Sequence, residues 1–400
     1  MGIIRFDLNA IGGIHDIDGD DYWSPSELRQ TIAGRRSELA EAGVATGARV
    51  VIAHGGTPAF FVDLFACWSL GACAACVNTS VTDVELNNLV DFTKPVLVVR
   101  QAPSKMSGVA EATYIEVPSQ DPALILFTSG TTGDPKGVVH SFSSIASRLH
   151  HNLQHIETST LARTLCVLPT HFGHGLIGNC LTPLLAGAEL FLAPGGGVQR
   201  AAGLGGLLSE REITFMSSVP SFWKMVLKLS PPPSKTTLQQ VSVGSAPVSA
   251  ELIDSIGKWS GSDDVRNMYG ITETANWAAG SSSRDRIPED GLVGTMWGGE
   301  AAVLVEGAVQ TSGIGELLLK PPAMMSGYYL REDLTAEVVK EGWYYTGDLG
   351  HIDAEGVIRI TGRLKNEINR AGMKVCPEEI DLLLEKHIAV AEACTFGLED

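Results

Sequence analysis

The chain has 400 residues, of which 44% are hydrophobic, and a formal net charge of −17 at pH 7. Because a single hydrophobic core stops growing below this length, we expect two or three domains. The excess of acidic residues disfavours nucleic acid or a membrane surface as the main partner, because both are negatively charged.

The first residues lack the basic segment and the long apolar run of a signal peptide. The most apolar window, residues 60–77, is interrupted by Asp63 and Gly71, so it predicts a buried helix followed by a strand. Cys73 and Cys76 have the spacing of a redox pair, but the Ala/Val run around them favours core packing. We therefore expect a protein of the reducing cytoplasm.

Strands and helices alternate through roughly the first 290 residues. Ser24 as the N-cap, Pro25 in the first turn and Gly43 as the stop predict a helix over residues 24–43. The pattern predicts a second helix at 57–69 and strands at 50–53, 74–77, 96–100, 124–127, 164–168, 189–192 and 241–243. This alternation predicts an α/β fold with parallel sheets covered on both faces.

The pattern changes after about residue 291. Short strands separated by glycine, at 302–305, 315–319 and 357–360, predict a small β-rich subdomain. Beyond residue 365 the sequence predicts a strand at 374–376, a helix at 377–387 and a strand at 391–396. A fragment of this size cannot bury its own faces, so we expect the last domain to be cut short at residue 400.

A phosphate-binding loop is predicted at residues 128–137 (TSGTTGDPKG), directly after the apolar strand 124–127. Its glycines permit close approach of the backbone to a ligand, its four hydroxyls add hydrogen-bonding groups, and Lys136 adds a positive charge. A Walker A motif is excluded because Lys136 precedes Gly137 instead of serine or threonine. The alternative, a plain turn between two strands, does not account for so many phosphate-compatible residues.

Segment 128–137 closely resembles the signature loop of the adenylate-forming superfamily. This superfamily includes acyl-CoA and aryl-CoA synthetases, insect luciferases and the adenylation domains of nonribosomal peptide synthetases. The resemblance runs from about residue 20 to the last residue, with further motifs in the family's order, and the chain is most similar to the acyl-CoA synthetase type. It implies that nucleotide contacts come from Thr128, Ser129, Gly130, Thr131, Thr132 and Gly133, and that Lys136 is catalytic.

The resemblance also implies a division of the chain. It implies a large N-terminal domain of two helix-covered, mainly parallel sheets at residues 1–290, which carries the ATP and acid sites. The β-rich subdomain follows at 291–361, a hinge at 362–366, and the truncated start of a small, mobile α+β C-terminal domain at 367–400. Family members carry a lysine near the end of that domain that no residue here matches, so we expect the 400-residue chain to bind ATP but adenylate poorly.

Residues 268–274 (MYGITET) resemble the family's Tyr-Gly-x-Thr-Glu motif. By that resemblance Tyr269 stacks on adenine, with Asn267 and Gly270 beside it. Thr272 meets the α-phosphate and Glu273 holds Mg²⁺. An aromatic face packs well on a base, and a carboxylate is a hard ligand for Mg²⁺. Without the resemblance, Tyr-Gly would be an ordinary turn and Glu273 a solvated acid.

Four further motifs resemble those of the family and complete the predicted nucleotide and acceptor sites. Residues 243–247 (VGSAP) are similar to the family's turn beside the adenine, which implies contacts from Gly244, Ser245, Ala246 and Pro247. Residues 345–349 (YTGDL) imply that Asp348 binds the ribose hydroxyls, although a turn-stabilising aspartate is the alternative. Residues 361–365 (TGRLK) resemble the family's hinge motif, which implies that Arg363 reaches the ribose or phosphate and that Lys365 is the hinge. Residues 371–380 (AGMKVCPEEI) match the start of the family's mobile domain, which implies that Gly372 lines a pantetheine tunnel.

Residues 168–175 (LPTHFGHG) resemble the motif that opens the acid pocket. The predicted pocket residues are His171, Phe172, His174, Gly175, Val219, Gly244 and Trp277. We reject a metal site at His171 and His174, because no third ligand follows and the glycines favour a loop. Many relatives have histidine where this chain has Phe172. Relatives that activate amino acids use an aspartate here, and residues 170–181 contain no acid, so we expect a substrate without an α-amino group.

The resemblance implies two half-reactions, with ATP, Mg²⁺ and a small carboxylic acid as reactants. The acid attacks the α-phosphorus of ATP and expels pyrophosphate, and the acyl group then passes to an acceptor, most often the thiol of coenzyme A. Three alternatives stay open at this point: transfer to a carrier protein or an amine, a non-catalytic protein that binds a nucleotide or acyl-adenylate, and an unrelated ATPase.

Overall fold

The computed structural model describes residues 2–128, 136–195 and 197–366, followed by 368–370, 373–375, 377–385, 387, 389–390 and 393–397. Helices and strands form a mixed α/β fold with two main sheets, which confirms the fold class predicted from the sequence. In the ranges given, no helix combines the length and apolar character needed to cross a lipid bilayer.

The strands are, in chain order, β1 (Ile3–Asp7), β2 (Ile14–Asp16), β3 (Asp21–Trp23), β4 (Arg49–Ile52), β5 (Cys73–Cys76), β6 (Leu97–Val99), β7 (Tyr114–Pro118), β8 (Pro122–Thr128), β9 (Lys136–Ser141), β10 (Arg163–Cys166), β11 (Glu189–Leu192), β12 (Phe215–Ser218), β13 (Gln240–Gly244), β14 (Val265–Ile271), β15 (Asn276–Ser282), β16 (Leu292–Met296), β17 (Glu300–Val305), β18 (Ala308–Gln310), β19 (Gly313–Lys320), β20 (Gly327–Tyr328), β21 (Val339–Lys340), β22 (Trp343–Ile352), β23 (Ile358–Arg363), β24 (Ile368–Arg370) and β25 (Met373–Val375).

The α-helices are α1 (Pro25–Glu41), α2 (Pro58–Ser69), α3 (Asp83–Thr93), α4 (Phe142–His155), α5 (Thr158–Leu161), α6 (Thr182–Leu185), α7 (Gly197–Glu210), α8 (Pro220–Leu229), α9 (Ala250–Ser260), α10 (Glu332–Val338) and α11 (Pro377–Glu385). A π-helix covers His174–Leu181, and 3₁₀ turns cover Leu8–Ala10, Thr272–Thr274 and Leu364–Asn366.

The first helix begins and ends where the sequence predicts. Ser24 accepts a hydrogen bond from the backbone N–H of Glu27, and the Glu27 carboxylate accepts one from the backbone of Ser24, which forms a capping box. Pro25 occupies the first turn, where its missing N–H costs nothing. Gly43 follows the end of the helix at φ +88°, a conformation that favours glycine.

The smaller main sheet has the strand order β20-β9-β8-β5-β4-β6. Strands β6, β4, β5 and β8 run parallel, whereas β9 and β20 extend the sheet in antiparallel pairing. Helix α2 is buried along its length from Pro58 to Trp68, as expected for a helix that is apolar on every side. This sheet brings the two strands that flank the predicted phosphate loop, β8 and β9, side by side.

The larger sheet is parallel in one half and antiparallel in the other. Strands β2, β11, β10, β12, β13 and β14 run parallel, and β15, β16, β23, β22, β19, β17 and β18 continue the sheet in antiparallel pairs. Because β16 pairs with both β15 and β23, the hydrogen bonding continues across the boundary predicted at residues 290 and 291. The division into domains stays a prediction.

The Cys73-Ala-Ala-Cys76 segment forms β5 inside the smaller sheet. Both cysteines are buried, in separate apolar clusters, because residues three apart in a strand point to opposite faces. Burial raises the pKa of the Cys73 thiol to about 12. The predicted core packing is therefore confirmed, and both residues are free thiols.

Two local predictions were wrong. The glycines of residues 173–178 favour a loop, yet His174–Leu181 form a π-helix, because the glycines there allow close packing against neighbouring segments. The strand predicted at 391–396 is absent from residues 393–397, and residues 391 and 392 lie outside the described ranges. The backbone N–H of Thr395 donates to the Asp381 side chain at 2.6 Å instead of to a neighbouring strand.

Candidate active site

The candidate site lies where the parallel strands β13 and β14 end, the usual place for ligands in open α/β sheets. Gly244 ends β13 opposite Met268, and a Cβ at this position would lie 2.4 Å from the Met268 carbonyl oxygen. Ser245 follows at φ +68°, so the chain turns sharply there. The close approach explains why the VGSAP turn needs a glycine at residue 244.

A first cleft of about 330 Å³ opens beside this turn. It contains most of the residues predicted to bind the nucleotide, which come from one turn and three separate strands. The lining includes Ser245, Ala246, Pro247, Asn267, Tyr269, Gly270, Asp348 and Arg363. We refer to this space as the nucleotide cleft.

The Asp348 carboxylate is the central charge of the nucleotide cleft. Only 2% of the residue is exposed, and its two oxygens accept hydrogen bonds from the Tyr269 hydroxyl at 2.6 Å and from Arg363 Nε at 2.8 Å. Asp348 and Arg363 are register partners on β22 and β23, which fixes their approach. A buried carboxylate is costly unless it is paired, and this one is paired on both oxygens. Burial and the carboxylate raise the pKa of Tyr269, so its phenol stays a donor.

A second cleft of about 450 Å³ adjoins the first and shares Ser245, Gly270, Ile271 and Arg363 with it. We call it the acid cleft. Its remaining lining includes the predicted pocket residues Phe172, His174, Gly175 and Val219, together with Leu168, Gly173, Thr272, Glu273 and Asn276. The wall is mainly apolar or neutral, and its charged side chains are Glu273 and Arg363, of which Arg363 also lines the nucleotide cleft.

Three of the residues predicted for the acid pocket lie outside its lining. Trp277 is fully buried and meets the His174 ring edge-on at 5.7 Å between ring centroids. It follows Asn276 in β15, and adjacent strand residues face opposite sides, so Asn276 reaches the cleft and Trp277 does not. Gly244 packs against Met268 behind Ser245. His171 is half-buried beside Phe172, with 4.3 Å between the ring centroids.

His174 is held by two hydroxyl groups. Its Nδ1 lies 2.8 Å from Ser245 Oγ, and its Nε2 lies 2.6 Å from Ser217 Oγ. Burial lowers the pKa of His174 to about 4, so the ring is neutral at physiological pH. A neutral imidazole donates from one nitrogen and accepts at the other, which suits two hydroxyl partners. His174 thereby fixes Ser245, which lines both clefts.

The 3₁₀ turn Thr272–Thr274 directly follows Gly270 and Ile271, which line both clefts, and all three of its carbonyl groups accept hydrogen bonds from other segments. His140 Nε2 lies 2.8 Å from the Thr272 carbonyl, and the backbone N–H of Met325 donates to the Glu273 carbonyl at 2.7 Å. The buried Arg148 guanidinium donates to the Thr274 carbonyl at 3.3 Å. Burial lowers the pKa of His140 to about 4, so a neutral ring donates to Thr272. The turn is therefore rigid.

The Glu273 side chain fits a magnesium site shared with a nucleotide. Its Oε1 accepts a hydrogen bond from the Tyr328 hydroxyl at 2.6 Å. In the part of the chain that the structure describes, no group of three or more His, Cys, Asp or Glu side chains could hold a metal alone. Mg²⁺ in nucleotide enzymes usually takes one or two carboxylates, with phosphate oxygens and water completing the shell. One carboxylate at the meeting point of two clefts matches that requirement.

Part of the predicted phosphate loop can be placed. Thr128 ends β8 and Lys136 begins β9, and the two residues are antiparallel register partners. The Lys136 Nζ lies 5.2 Å from the centroid of the Tyr328 ring. The predicted contacts Ser129, Gly130, Thr131, Thr132 and Gly133 lie outside the described residues, as does Gly372. Lys365 is exposed in the turn Leu364–Asn366, directly after β23.

Sequence reasoning missed His140 and Arg148, which hold the Thr272–Thr274 turn, and Tyr328, which donates to the Glu273 side chain. None belongs to a motif that the sequence analysis used. His140 and Arg148 follow the phosphate loop on β9 and α4, and Tyr328 comes from β20, which pairs with β9. The only signal in the sequence was the apolar residues around them. Such neighbours indicate that a polar side chain is buried and needs a hydrogen-bond partner.

Comparison with known proteins agrees with this geometry. A family model described as "AMP-binding enzyme" matches residues 105–329, which is more than half of the chain. A protein described as a probable CoA ligase, CCL9 from Humulus lupulus, is 28% identical over 96% of this chain and 80% of its own length. An oxalate–CoA ligase from Arabidopsis thaliana is 30% identical over 74% of this chain and 58% of its own length.

Solved structures share the fold. ATP-bound MatB from Rhodopseudomonas palustris superposes with a TM-score of 0.86 at 24% identity, over 99% of this chain and 86% of its own. The o-succinylbenzoate coenzyme A synthetase MenE from Bacillus subtilis, in complex with ATP and a magnesium ion, gives a TM-score of 0.85 at 22% identity. That match covers 100% of this chain and 88% of the other.

Proposed function

Because the chain belongs to the AMP-binding enzyme family, we propose that it is an acid–thiol ligase that activates a carboxylic acid with ATP and transfers the acyl group to coenzyme A. The observation that carries the proposal is that the two clefts meet at Ser245, Gly270, Ile271 and Arg363, and that Thr272 and Glu273 follow Ile271 directly in the chain. A nucleotide in one cleft and an acid in the other would meet at this rigid turn. The relatives named CoA ligases support coenzyme A as the acceptor.

In the first half-reaction, a carboxylate oxygen of the acid forms a bond to the α-phosphorus of ATP, and the bond to pyrophosphate breaks. Catalysis of this step consists largely of positioning and charge neutralisation. We assign the α-phosphate contact to Thr272 and a phosphate contact to Lys136. Glu273 would hold Mg²⁺, which when bound neutralises phosphate charge. Asp348 would accept from the ribose hydroxyls, while Tyr269, Ala246 and Pro247 would contact the adenine.

In the second half-reaction, the thiol sulfur of coenzyme A attacks the acyl carbon, a carbon–sulfur bond forms, and AMP leaves with the electron pair of the broken bond. The acceptor passage at Gly372 and the pivot at Lys365 belong to this proposal through the family resemblance. The exposed position of Lys365, directly after the strand that carries Arg363, supports a pivot there. The same resemblance supports the division at residues 290, 361 and 366.

We also propose that the substrate lacks an α-amino group. Residues 170–181 contain no acid, and the lining contributed by Leu168, Phe172 and Val219 is apolar. The carboxylate in the lining belongs to Glu273, whose Oε1 is engaged by Tyr328. An ammonium group in this cleft would lose its hydration without gaining a dedicated partner.

The free thiols of the described cysteines support a reducing cytoplasm as the compartment.

The test is pyrophosphate release by the 400-residue chain across a panel of acids, with and without coenzyme A. The panel pairs each acid with its α-amino counterpart, for example 3-phenylpropanoate with phenylalanine. We expect Mg²⁺-dependent release with the unsubstituted acids, at the low rate expected above for the 400-residue chain, and acyl-CoA in the products by mass spectrometry. Release in which free amino acids give the best rates would contradict the substrate assignment. Product formed only with carrier protein or amine would contradict the acceptor assignment.

A further inference from the structure

Tyr328 lies between the two charged side chains assigned to the ATP phosphates and Mg²⁺. Its hydroxyl donates to Glu273 Oε1 at 2.6 Å, and its ring lies 5.2 Å from Lys136 Nζ. The hydroxyl of Tyr344 is 3.4 Å from the hydroxyl of Tyr328. Only 7% of Tyr328 is exposed, so neither contact is a surface encounter. No motif used in the sequence analysis includes Tyr328.

The two contacts of Tyr328 use different parts of its side chain. An ionised carboxylate only accepts, so the phenol must donate to Glu273, and this fixes the rotation of the Glu273 carboxyl group. An ammonium within about 6 Å of an aromatic centroid is attracted by the ring face, so the ring restrains Lys136.

The backbone around Tyr328 is fixed on both sides. The N–H groups of Ser326 and Tyr329 donate to the carbonyls of Val139 and Gly137 in β9, at 2.8 and 2.7 Å. The N–H of Met325 donates to the carbonyl of Glu273. Residues 325–329 therefore connect the strand that begins at Lys136 to the turn that carries Glu273. The Tyr328 phenol therefore belongs to a backbone segment that is hydrogen-bonded both to β9, which begins at Lys136, and to Glu273.

We propose that Tyr328 is a positioning residue that sets the distance and orientation between the Glu273 carboxylate and the Lys136 ammonium for MgATP. The hydroxyl orients the magnesium ligand, and the ring orients the lysine. This inference rests on the proposed function, because it takes Glu273 as the ligand of the Mg²⁺ that accompanies ATP.

The test measures ATP binding by isothermal titration in EDTA and in saturating Mg²⁺, for the wild type and three variants. Tyr328→Phe removes the hydroxyl and keeps the ring, whereas Tyr328→Leu removes both. Tyr329→Phe is the matched control, since its hydroxyl donates to the carbonyl of Thr93 on the neighbouring helix. Steady-state kinetics on the same proteins separate KM for MgATP from KM for the acid.

For Tyr328→Phe we expect the gain in ATP affinity from Mg²⁺ to fall by about tenfold, the loss of one hydrogen bond to a charged group. Affinity in EDTA should stay within about twofold of wild type, because the ring still restrains Lys136. Tyr328→Leu should weaken binding in EDTA as well, by about threefold. KM for the acid should not change in Tyr328→Phe, and Tyr329→Phe should match wild type throughout.

Three results would overturn the inference, and they differ in what else they overturn. If wild type gains affinity from Mg²⁺ and Tyr328→Phe gains equally, Tyr328 does not position Glu273 and the proposed function stands. If wild type binds ATP no better with Mg²⁺ than in EDTA, both the Tyr328 inference and the magnesium role of Glu273 fail. An equal loss for Tyr328→Phe in both buffers would indicate a general structural role and contradict the positioning role.

Discussion

The nucleotide cleft and the acid cleft are neighbours of similar size, but they are built differently. The nucleotide cleft is organised around a paired charge, Asp348 with Arg363 and Tyr269, on strands held in register. The acid cleft is lined mainly by apolar and neutral groups from a π-helix and separate loops, with His174 neutral between two serines, and its charged side chains are Glu273 and Arg363. On the proposed assignment, a nucleotide common to the relatives would contact fixed charges, whereas an acid that differs between them would be selected mainly by the shape of an apolar wall.

The largest effect should come from the residue at which the clefts meet. Glu273→Gln removes the charge of the assigned magnesium ligand while preserving the shape of the side chain. We expect pyrophosphate release to fall by about 10²-fold, the usual effect of losing one preorganised electrostatic contact. The measurement is release at saturating ATP and Mg²⁺, with Glu355→Gln as the control on an exposed acid. A rate within a factor of two of wild type would remove Glu273 from the mechanism.

The second-largest effect should come from replacing Asp348, the paired carboxylate of the nucleotide cleft. Asp348→Ala deletes the acceptor of both Tyr269 and Arg363, together with the assigned ribose contact. We expect ATP affinity to fall by about 1.5–3 kcal/mol, as for hydrogen bonds to a charged group. Isothermal titration of ATP measures this, and Asp353→Ala in an exposed turn serves as the control. Equal affinity in Asp348→Ala and wild type would show that the pair is structural only.

The acid cleft should respond to pH through His174. Its folded pKa of about 4 lies below the unfolded value of about 6.5, so the folded state binds fewer protons in between. Stability is therefore fully present above about pH 6.5 and is lost as the pH falls towards 4, by about 2 kcal/mol between pH 7 and pH 5. Urea unfolding at both pH values measures the loss. His140, whose pKa burial also lowers to about 4, adds a similar share, so His174→Gln should reduce the loss by about 2 kcal/mol without abolishing it. An unchanged slope would contradict the assignment.

The smallest effect should come from the exposed wall of the acid cleft. Phe172 is 50% exposed and lines the acid cleft. Phe172→Ala should raise KM for the acid by about fivefold, because it removes a partly exposed apolar contact with the acid. KM for ATP should stay unchanged. Phe396→Ala, on a residue 69% exposed, is the control. An equal change in both KM values would mean that the clefts are not separate in function.

Sequence reasoning reached the nucleotide cleft further than the acid cleft. The family resemblance assigned Tyr269, Glu273 and Asp348 to one ATP site. The structure places Tyr269 and Asp348 in the nucleotide cleft and Glu273 in the adjoining acid cleft. Ala246 and Pro247 also line the predicted cleft, because the turn that carries them follows directly from the glycine at 244. Their roles toward ATP stay predictions.

The acid cleft was harder to predict because strand register and helix type decide which side chains face it. Trp277 was predicted to line the acid cleft. Adjacent residues of β15 point to opposite faces of the sheet, so Asn276 lines the cleft and Trp277 points away from it. The glycines near His174 predicted a loop, but they lie in or beside a π-helix that packs closely against its neighbours. Glycine is needed at residue 175 because a Cβ there would lie 2.2 Å from the Pro169 carbonyl oxygen. Tyr328 could not be found from sequence, because 55 residues separate it from its partner Glu273.

The way in which the Thr272–Thr274 turn is anchored has a consequence for altering substrate choice. His140, Met325 and Arg148 hold its three carbonyls, and none of them comes from residues 168–175 or from Val219, which form much of the acid wall. Side chains at Phe172 and Val219 can therefore be exchanged without loosening the groups assigned to phosphate. New acids should be accepted by changing the wall alone, and one such scaffold can serve many ligases that differ only in the acids they accept.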